Sequence, residues 1–449
     1  MISLRSAAAL AFALASVVTA QTNTQIKCDA SNKCPQDSPC CSSYGLCGVG
    51  AYCLGGCDPK SSFNLQSCMP APVCSSNDFK MTSLDGIMPN YQYLGDASTA
   101  NWVSSGTPLA YQGSSVLLTM APNTVGTLLS STHYVWYGKI SAQMTTSQGQ
   151  GVVTAFIMMS DMKDEIDFEF VGVDLEHAQS NYYFQGITNY GNEMNLSVSN
   201  TVQNTHTYEI DWSPDQLTWS IDGNVLRTLK KSDTYNTTDN QYHYPQTPSR
   251  VQLSLWPAGL ASNGQGTIDW SGGLVNWDSP LMANGYYYAQ VFDVNVQCYD
   301  APSDAQVSGT KAYAYSNTAG TENTVEITNN NTILGSFQAD GLNQDYNPNP
   351  KSSGTAAASA TASANANTVP GMSGAGSYGD DASSSSSDGS SSGTSGSAAS
   401  SSSGASGSSG SSGGTFSQGT GSGSTGDGNR VVAGSLVALV AFFAAVLMI

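Results

Sequence analysis

The segment Asp164-Glu165-Ile166-Asp167-Phe168-Glu169-Phe170 constrains the fold more than any other part of this chain, because acidic and large apolar side chains alternate along it. A period of two is the period of a β-strand, whose side chains point to opposite faces in turn. Glu165, Asp167 and Glu169 therefore share one face, while Ile166, Phe168 and Phe170 pack the other. Three carboxylates in a row repel one another, and like charges on neighbouring sites raise at least one pKa.

One protonated and one ionised carboxyl side by side is the arrangement that glycoside cleavage needs. The alternative is a solvated edge strand with an acidic outer face, although such a face normally mixes in Lys, Ser or Thr. At ~3.3 Å per residue the Cα atoms of Glu165 and Glu169 lie ~13 Å apart, whereas a retaining glycosidase sets its two carboxyl groups ~5 to 5.5 Å apart. Long side chains on a concave strand close such a gap. The two glutamates are thus the candidate reacting pair, with the shorter Asp167 between them as a hydrogen-bonding and charge-tuning helper.

Composition changes sharply along the 449 residues. Residues 1–20 read as a secretory signal, with Arg5 as the only basic residue, an apolar run and Val18-Thr19-Ala20 at the cut. Residues 352–429 are almost wholly Ser, Gly, Ala and Thr, too poor in large apolar side chains to repay the entropy of ordering. They read as a disordered, O-glycosylated stalk. Residues 430–449 carry the uncharged apolar run Val431 to Ile449, which fits a GPI-attachment signal removed after a small residue between Gly419 and Gly428. A single-pass helix is the alternative, but no basic residues flank the run on its far side. The expected location is accordingly the cell surface, anchored to plasma membrane or cell wall. A net charge of −19, from 14 basic and 33 acidic residues, argues against a nucleic-acid partner, whose phosphates demand a basic footprint. Sequons at Asn195, Asn236 and Asn330 agree with secretion.

Nine of the ten cysteines crowd between Cys28 and Cys74, a density that means disulfides in a secreted protein. Zinc prefers thiolates two to four residues apart, which the adjacent Cys40-Cys41 does not suit. The frame Cys34-Pro35, Cys40-Cys41-Ser42-Ser43-Tyr44-Gly45-Leu46-Cys47-Gly48 and Tyr52-Cys53 resembles the hevein-type chitin-binding module, carbohydrate-binding family 18. The resemblance implies the pairings Cys28–Cys41, Cys34–Cys47 and Cys40–Cys53, with a last bridge from Cys57 to Cys68. It also implies sugar contacts at Ser42, Tyr44 and Tyr52, although Leu46 stands where the family often has a second aromatic. A disulfide knot serving only as a spacer is the alternative. Cys74 and the distant Cys298 are left over, and pairing them would staple the two ends of the next domain. The front module and its linker thus occupy residues 21–74.

From residue 75 to 302 the chain reads as strands separated by turns, among them Tyr134–Met144, Val152–Met158, Glu165–Val171, Thr207–Trp212, Leu217–Ile221, Val251–Leu255 and Tyr286–Val296. Many short strands without helical periodicity predict an all-β, two-sheet sandwich. A linker is expected over 303–351. The run Glu165-Ile166-Asp167-Phe168-Glu169, the preceding Tyr137-Gly138-Lys139, and the pair Thr207-Tyr208-Glu209-Ile210-Asp211-Trp212 and Leu217-Thr218-Trp219-Ser220-Ile221-Asp222-Gly223 resemble glycoside hydrolase family 16. That family's fold is a curved β-jelly roll with a sugar cleft across its concave sheet. The likeness makes Glu165 the nucleophile, Asp167 its helper and Glu169 the general acid/base. With the front module and the tail included, the pattern is similar to the fungal Crh cell-wall transglycosylases, which implies a chitin donor and a β-glucan acceptor.

Tyr137, Trp256 and Trp270 are candidate sugar-binding aromatics, with core packing as the other ordinary fate of large rings. His133, His177, His206 and His243 are dispersed, no Gly-x-Ser-x-Gly elbow occurs outside the Ser/Gly-rich stalk, and neither a metal nor a cofactor is expected. An endo-β-glucanase or chitinase on the same scaffold, or a non-catalytic chitin-binding wall protein, are the competing functions. Both transfer and hydrolysis pass through one glycosyl-enzyme, so residue types alone do not separate them.

Overall fold

The alternating segment forms a seven-residue strand inside an eight-stranded sheet. The computed structural model describes residues 25–282 and 284–349; the expected signal, stalk and tail lie outside them. In chain order the strands of this sheet are β1 (Ile87–Pro89), β2 (Trp102–Ser105), β3 (Thr127–Val135), β4 (Val152–Ser160), β5 (Glu165–Val171), β6 (His177–Tyr183), β7 (Met194–Ser197) and β8 (Ser249–Pro257). Their spatial order is β7-β6-β5-β4-β8-β3-β2-β1, with β1 joining β2 in parallel and the other pairs antiparallel. A second eight-stranded sheet runs from Asn224–Lys230 through Gln216–Ile221, His206–Trp212, Gly138–Thr145, Tyr287–Cys298 and Ser115–Met120 to Leu109–Tyr111, and Asn77–Lys80 also pairs with Tyr287–Cys298.

The core lies between the sheets, because each presents an apolar face every second residue. Phe168 and Phe170 of β5 stack at 6.3 Å, and Phe170 meets Tyr208 of the second sheet edge-on at 4.6 Å. Trp219 donates its indole N–H to the Asp167 carbonyl at 3.0 Å, so the second sheet also holds the backbone of the acidic strand. This is the two-sheet sandwich that the strand pattern predicts and the β-jelly roll that the family resemblance implies.

Three expectations require correction. The run Tyr134–Met144 is not one strand: the chain leaves β3 at Val135, turns at Trp136-Tyr137 with Tyr137 at φ +66°, and enters the other sheet at Gly138. A Cβ on Gly138 would sit 2.5 Å from the Gln297 carbonyl oxygen, so the corner requires glycine, but the hydrophobic pattern runs through it unbroken.

The stretch 303–351 is not a linker over its described residues. Gln306–Val307, Ala312–Tyr315 and Val325–Thr328 build a four-stranded sheet with Ala71–Pro72, and Tyr313 and Val325 are buried in the main core. Apolar residues are sparse there but fall on alternate positions, Tyr313 with Tyr315 and Val325 with Ile327, which suffices for a short strand packed on the main core.

The disulfide-rich front segment is not a separate bead. Tyr52, Cys53, Leu54 and Met69 share one apolar cluster with Tyr93, Ala100 and Val103 of the sandwich and with Leu334 and Ala339 from the C-terminal side. Bridges join Cys28 to Cys41, Cys34 to Cys47, Cys40 to Cys53, Cys57 to Cys68 and Cys74 to Cys298.

Candidate active site

Register places the three acids on the face turned away from the core, each with an apolar neighbour on one side and a polar one on the other. Glu165 lies opposite Met159 of β4 and Tyr183 of β6, Asp167 opposite Ile157 and Asn181, and Glu169 opposite Ala155 and Gln179. Asp167 is buried, Glu165 is nearly so, and Glu169 keeps partial exposure. Burial against this apolar strip is the main cause of their shifted acidities. Desolvation, with the neighbouring charge of Asp167 second, pushes Glu165 well above the usual carboxylate range. Glu169 moves the same way through burial first, then the charges of Asp167, Glu165 and Glu193. Asp167 is pushed up to about 8 by burial, opposed by Arg227 and reinforced by Glu193. Its Oδ1 has no hydrogen-bond partner among the described residues. The row can therefore hold a proton at neutral pH, as a general acid must.

Asp164, just ahead of the row, does a different job. Its carboxylate accepts N–H bonds from Gln185, Gln246 and Thr247 at 2.9, 2.9 and 3.0 Å and the Thr247 hydroxyl at 2.6 Å. It ties the entry of β5 to two distant loops. Arg227, which sequence reasoning missed, reaches from the second sheet to donate to the Ser180 carbonyl at 2.7 Å and lies 4.4 Å over the Trp219 ring. Glu193 escaped notice as well. Neither carries a local signal, since their proximity to Asp167 arises only from sheet packing.

Trp256 of β8 is on the acid-bearing face and stacks on Trp270 at 6.1 Å, forming a small cluster with Val153 and Ala258. The Trp270 indole donates to Gln179 at 2.7 Å, and Gln179 is the β6 partner of Glu169. Both tryptophans thus stand at the Glu169 end of the row. Tyr137 does not join them. It is fully buried in the core against Trp212, with its hydroxyl bonded to Glu322, so its expected sugar contact is corrected: the positive-φ corner turns the ring inward.

In the front segment Tyr52 is likewise corrected. Only 3% of it is exposed, its ring lies beneath Gly48, and its hydroxyl accepts from Gln25 at 2.6 Å, so it cannot offer a face to an external polymer. Ser42 is also buried, and its Oγ accepts the backbone N–H groups of Tyr44 and Leu46 at 3.3 and 3.4 Å, which occupies it in the turn. Tyr44 alone of the three has appreciable exposure. Of the sequon residues, Asn195 is exposed on β7 opposite Gln179, Asn236 is half-buried and Asn330 is exposed.

A row of carboxyls set between apolar and polar strips on a jelly-roll sheet is the kind of site that glycoside cleavage uses. Residues 96–272 match the glycosyl hydrolases family 16. The chain is 56% identical over 331 residues to Crh-like protein 3 of Botryotinia fuckeliana (strain B05.10), covering 74% of each chain. It is 54% identical to Crh-like protein 2 of Aspergillus fumigatus, covering 77% of this chain and 78% of that protein. A solved structure of Crh5 transglycosylase in complex with NAG is 28% identical, spans 59% of this chain and 99% of its own, and superposes with a TM-score of 0.48. The chain belongs to the Crh-like proteins of glycosyl hydrolases family 16.

Proposed function

We propose that this enzyme cleaves β-1,4-linked chitin with retention of configuration and transfers the new reducing end to a β-glucan acceptor, cross-linking the wall. The observation that carries the reading is the single row Glu165, Asp167, Glu169 with every member's acidity weakened by burial. Glu165 attacks the anomeric carbon as Glu169 protonates the departing glycosidic oxygen, leaving a glycosyl ester on Glu165. Glu169, now ionised, takes the proton of an acceptor hydroxyl while that oxygen displaces Glu165 from the same carbon. Asp167 holds the proton that Glu165 sheds before it attacks as a carboxylate, so the two neighbouring carboxyls are not both charged. Trp256 and Trp270, beside Glu169, offer ring faces for a sugar at that end. The apolar strip of Ala155, Ile157 and Met159 keeps the row poorly hydrated, which favours a sugar hydroxyl over water in the second step. Secretion and a GPI anchor complete the proposal, supported by the small-residue stretch ahead of the apolar run Val431 to Ile449.

The test incubates the enzyme with a chitin oligosaccharide and a fluorescent glucan oligosaccharide and weighs the products. Fluorescent species heavier by whole N-acetylhexosamine units are expected. Shortened chitin with unchanged glucan would make the enzyme a hydrolase, and two unchanged sugars would leave a non-catalytic wall protein.

A further inference from the structure

The strand Asn224–Lys230 forms an edge of the second sheet, and of its residues only Arg227 and Leu229 are half-buried. Trp219 pairs with Arg227 and Ser220 with Val225, so Leu226 stands without an opposite residue. Such a bulge re-aims the neighbouring side chain. The Arg227 guanidinium lies 4.4 Å over the Trp219 ring and 5.6 Å from that of Tyr182. It donates to the Ser180 carbonyl at 2.7 Å, the Ser180 hydroxyl at 2.9 Å and the Asn192 carbonyl at 2.5 Å.

Two features connect this cation to the carboxyl row. Trp219, on which it is stacked, holds the Asp167 carbonyl at 3.0 Å, while Ser180 is the β6 partner of Phe168 and Asn181 that of Asp167. The Trp219–Arg227 pair therefore grips β5 at Asp167 and β6 one residue away from its partner, and it does so from the core side, where Phe168 and Tyr182 point. The second feature is charge. Asp167 is faced by Glu165 and Glu169 on its own strand, by Tyr183 on β6, by Glu193 ahead of β7 and by Arg227, whereas β4 sets the neutral Ile157 opposite it. Arg227 is the one cation among these groups. It is faced in turn by Tyr182, Asp167 and Glu193, with Asp233 acting on Tyr182. An inward-pointing charge on an edge strand can also serve only to block edge-to-edge pairing, a role that leaves the chemistry of the row untouched.

We propose that Arg227 is a positioning residue of the transfer reaction: stacked on Trp219, it fixes the spacing of β5 and β6 at Asp167 and, opposed by Glu193, supplies the positive charge against which the carboxyl row holds and releases its protons. It acts through Asp167 and touches no sugar. The inference rests on the reading above that Asp167 carries a proton while Glu165 attacks. Arg227 favours the ionised form of Asp167 and Glu193 disfavours it. Because the working row keeps the Asp167 proton, activity declines on the alkaline side, where that proton leaves. Removing the charge of Arg227 moves this limb to higher pH, and removing that of Glu193 moves it lower.

The test measures kcat and KM against pH, with the chitin oligosaccharide and the fluorescent glucan, for the wild type, Arg227→Gln, Arg227→Lys and Glu193→Gln. Arg227→Gln should lower kcat roughly tenfold at unchanged KM and raise the alkaline limb by roughly 0.5–1 pH unit. Arg227→Lys keeps the charge, but an ammonium lacks the fork that spans the Ser180 and Asn192 carbonyls, so kcat should fall roughly threefold with the limb at its wild-type pH. Glu193→Gln leaves the three bonds of Arg227 in place and should lower the limb by roughly half a unit, so it serves even if Arg227→Gln fails to fold. A limb unmoved in Glu193→Gln and in folded Arg227→Gln, or displaced in Arg227→Lys, would overturn the proposal and leave Arg227 as an edge-strand guard. A raised KM at unchanged kcat would overturn it in favour of a sugar contact. A wild type that neither cleaves nor transfers chitin would overturn the reading of the row, and this inference with it.

Discussion

Each acid of the row faces Met, Ile or Ala on one side, and this local contact has a consequence for stability as well as for chemistry. A carboxyl whose pKa is raised by folding binds its proton more tightly in the folded protein than in the unfolded chain. Its stabilising effect is complete below the unfolded value and is lost as pH climbs through the folded one. Asp167 rises from 3.8 to about 8, Asp161 and Asp164 rise from 3.8 to about 6, and both glutamates rise from 4.5. The melting temperature should therefore fall steadily from about pH 4 to pH 8, and Glu165→Gln should blunt that fall. At pH 8 the variant is expected to melt about 2–4 °C above the wild type while losing transfer activity; at pH 4 the two should coincide. A calorimetric scan showing the variant equal or less stable at pH 8 would show that the row carries no repulsion. The shared face of the three acids was legible in their spacing. Their surroundings were not, because Arg227, Glu193 and the β4 strip come from other strands, and a lone Tyr52 or Tyr137 carries no mark of which way its ring will turn.

At the level of elements, β5 depends on what fixes its first residue. Asp164→Ala would leave the N–H groups of Gln185, Gln246 and Thr247 without their carboxylate acceptor. Two or three abandoned buried donors at ~1–3 kcal/mol each predict a loss of about 3 kcal/mol or more. Urea unfolding should show the midpoint lowered at unchanged slope, and a loss under about 0.5 kcal/mol would mean that the loops hold the strand without Asp164. Elements with strictly local signals were readable in advance. The turn Asp222-Gly223 has φ +51° and +78°, the geometry that an Asp-Gly hairpin prescribes, and its flanking strands pair as the alternation implies. The corner at Tyr137 was hidden, since its sign is a crowded backbone approach to Gln297, 160 residues away in the chain, and not a change of pattern.

On the scale of the whole molecule, the two-sheet sandwich was legible and its wrapping was not. Composition separates a cysteine-rich front from a strand-rich middle and a polar sequel, yet Leu334 and Ala339 from the last part share a core with Cys53 and Leu54 from the first. Contacts spanning nearly 300 residues leave no trace in local composition. The result is one body in which the front segment braces the turn before Glu165, Gly56 bonding Asp161 and Asp58 pairing with Lys163, so mechanism and architecture meet at that residue. Two glutamates acting in sequence on one carbon is the central claim, and it is tested by giving each variant azide and a chitin oligosaccharide with an activated leaving group. Glu169→Gln should still form the glycosyl-enzyme, because a good leaving group needs little protonation, then stall until azide attacks without a base. Two inversions make that product a β-glycosyl azide, whereas Glu165→Gln, having no nucleophile, should be inactive alone and yield only an α-azide by single displacement. A β-azide from Glu165→Gln with an α-azide from Glu169→Gln would reverse the two roles, and an untouched activity in either variant would contradict the account.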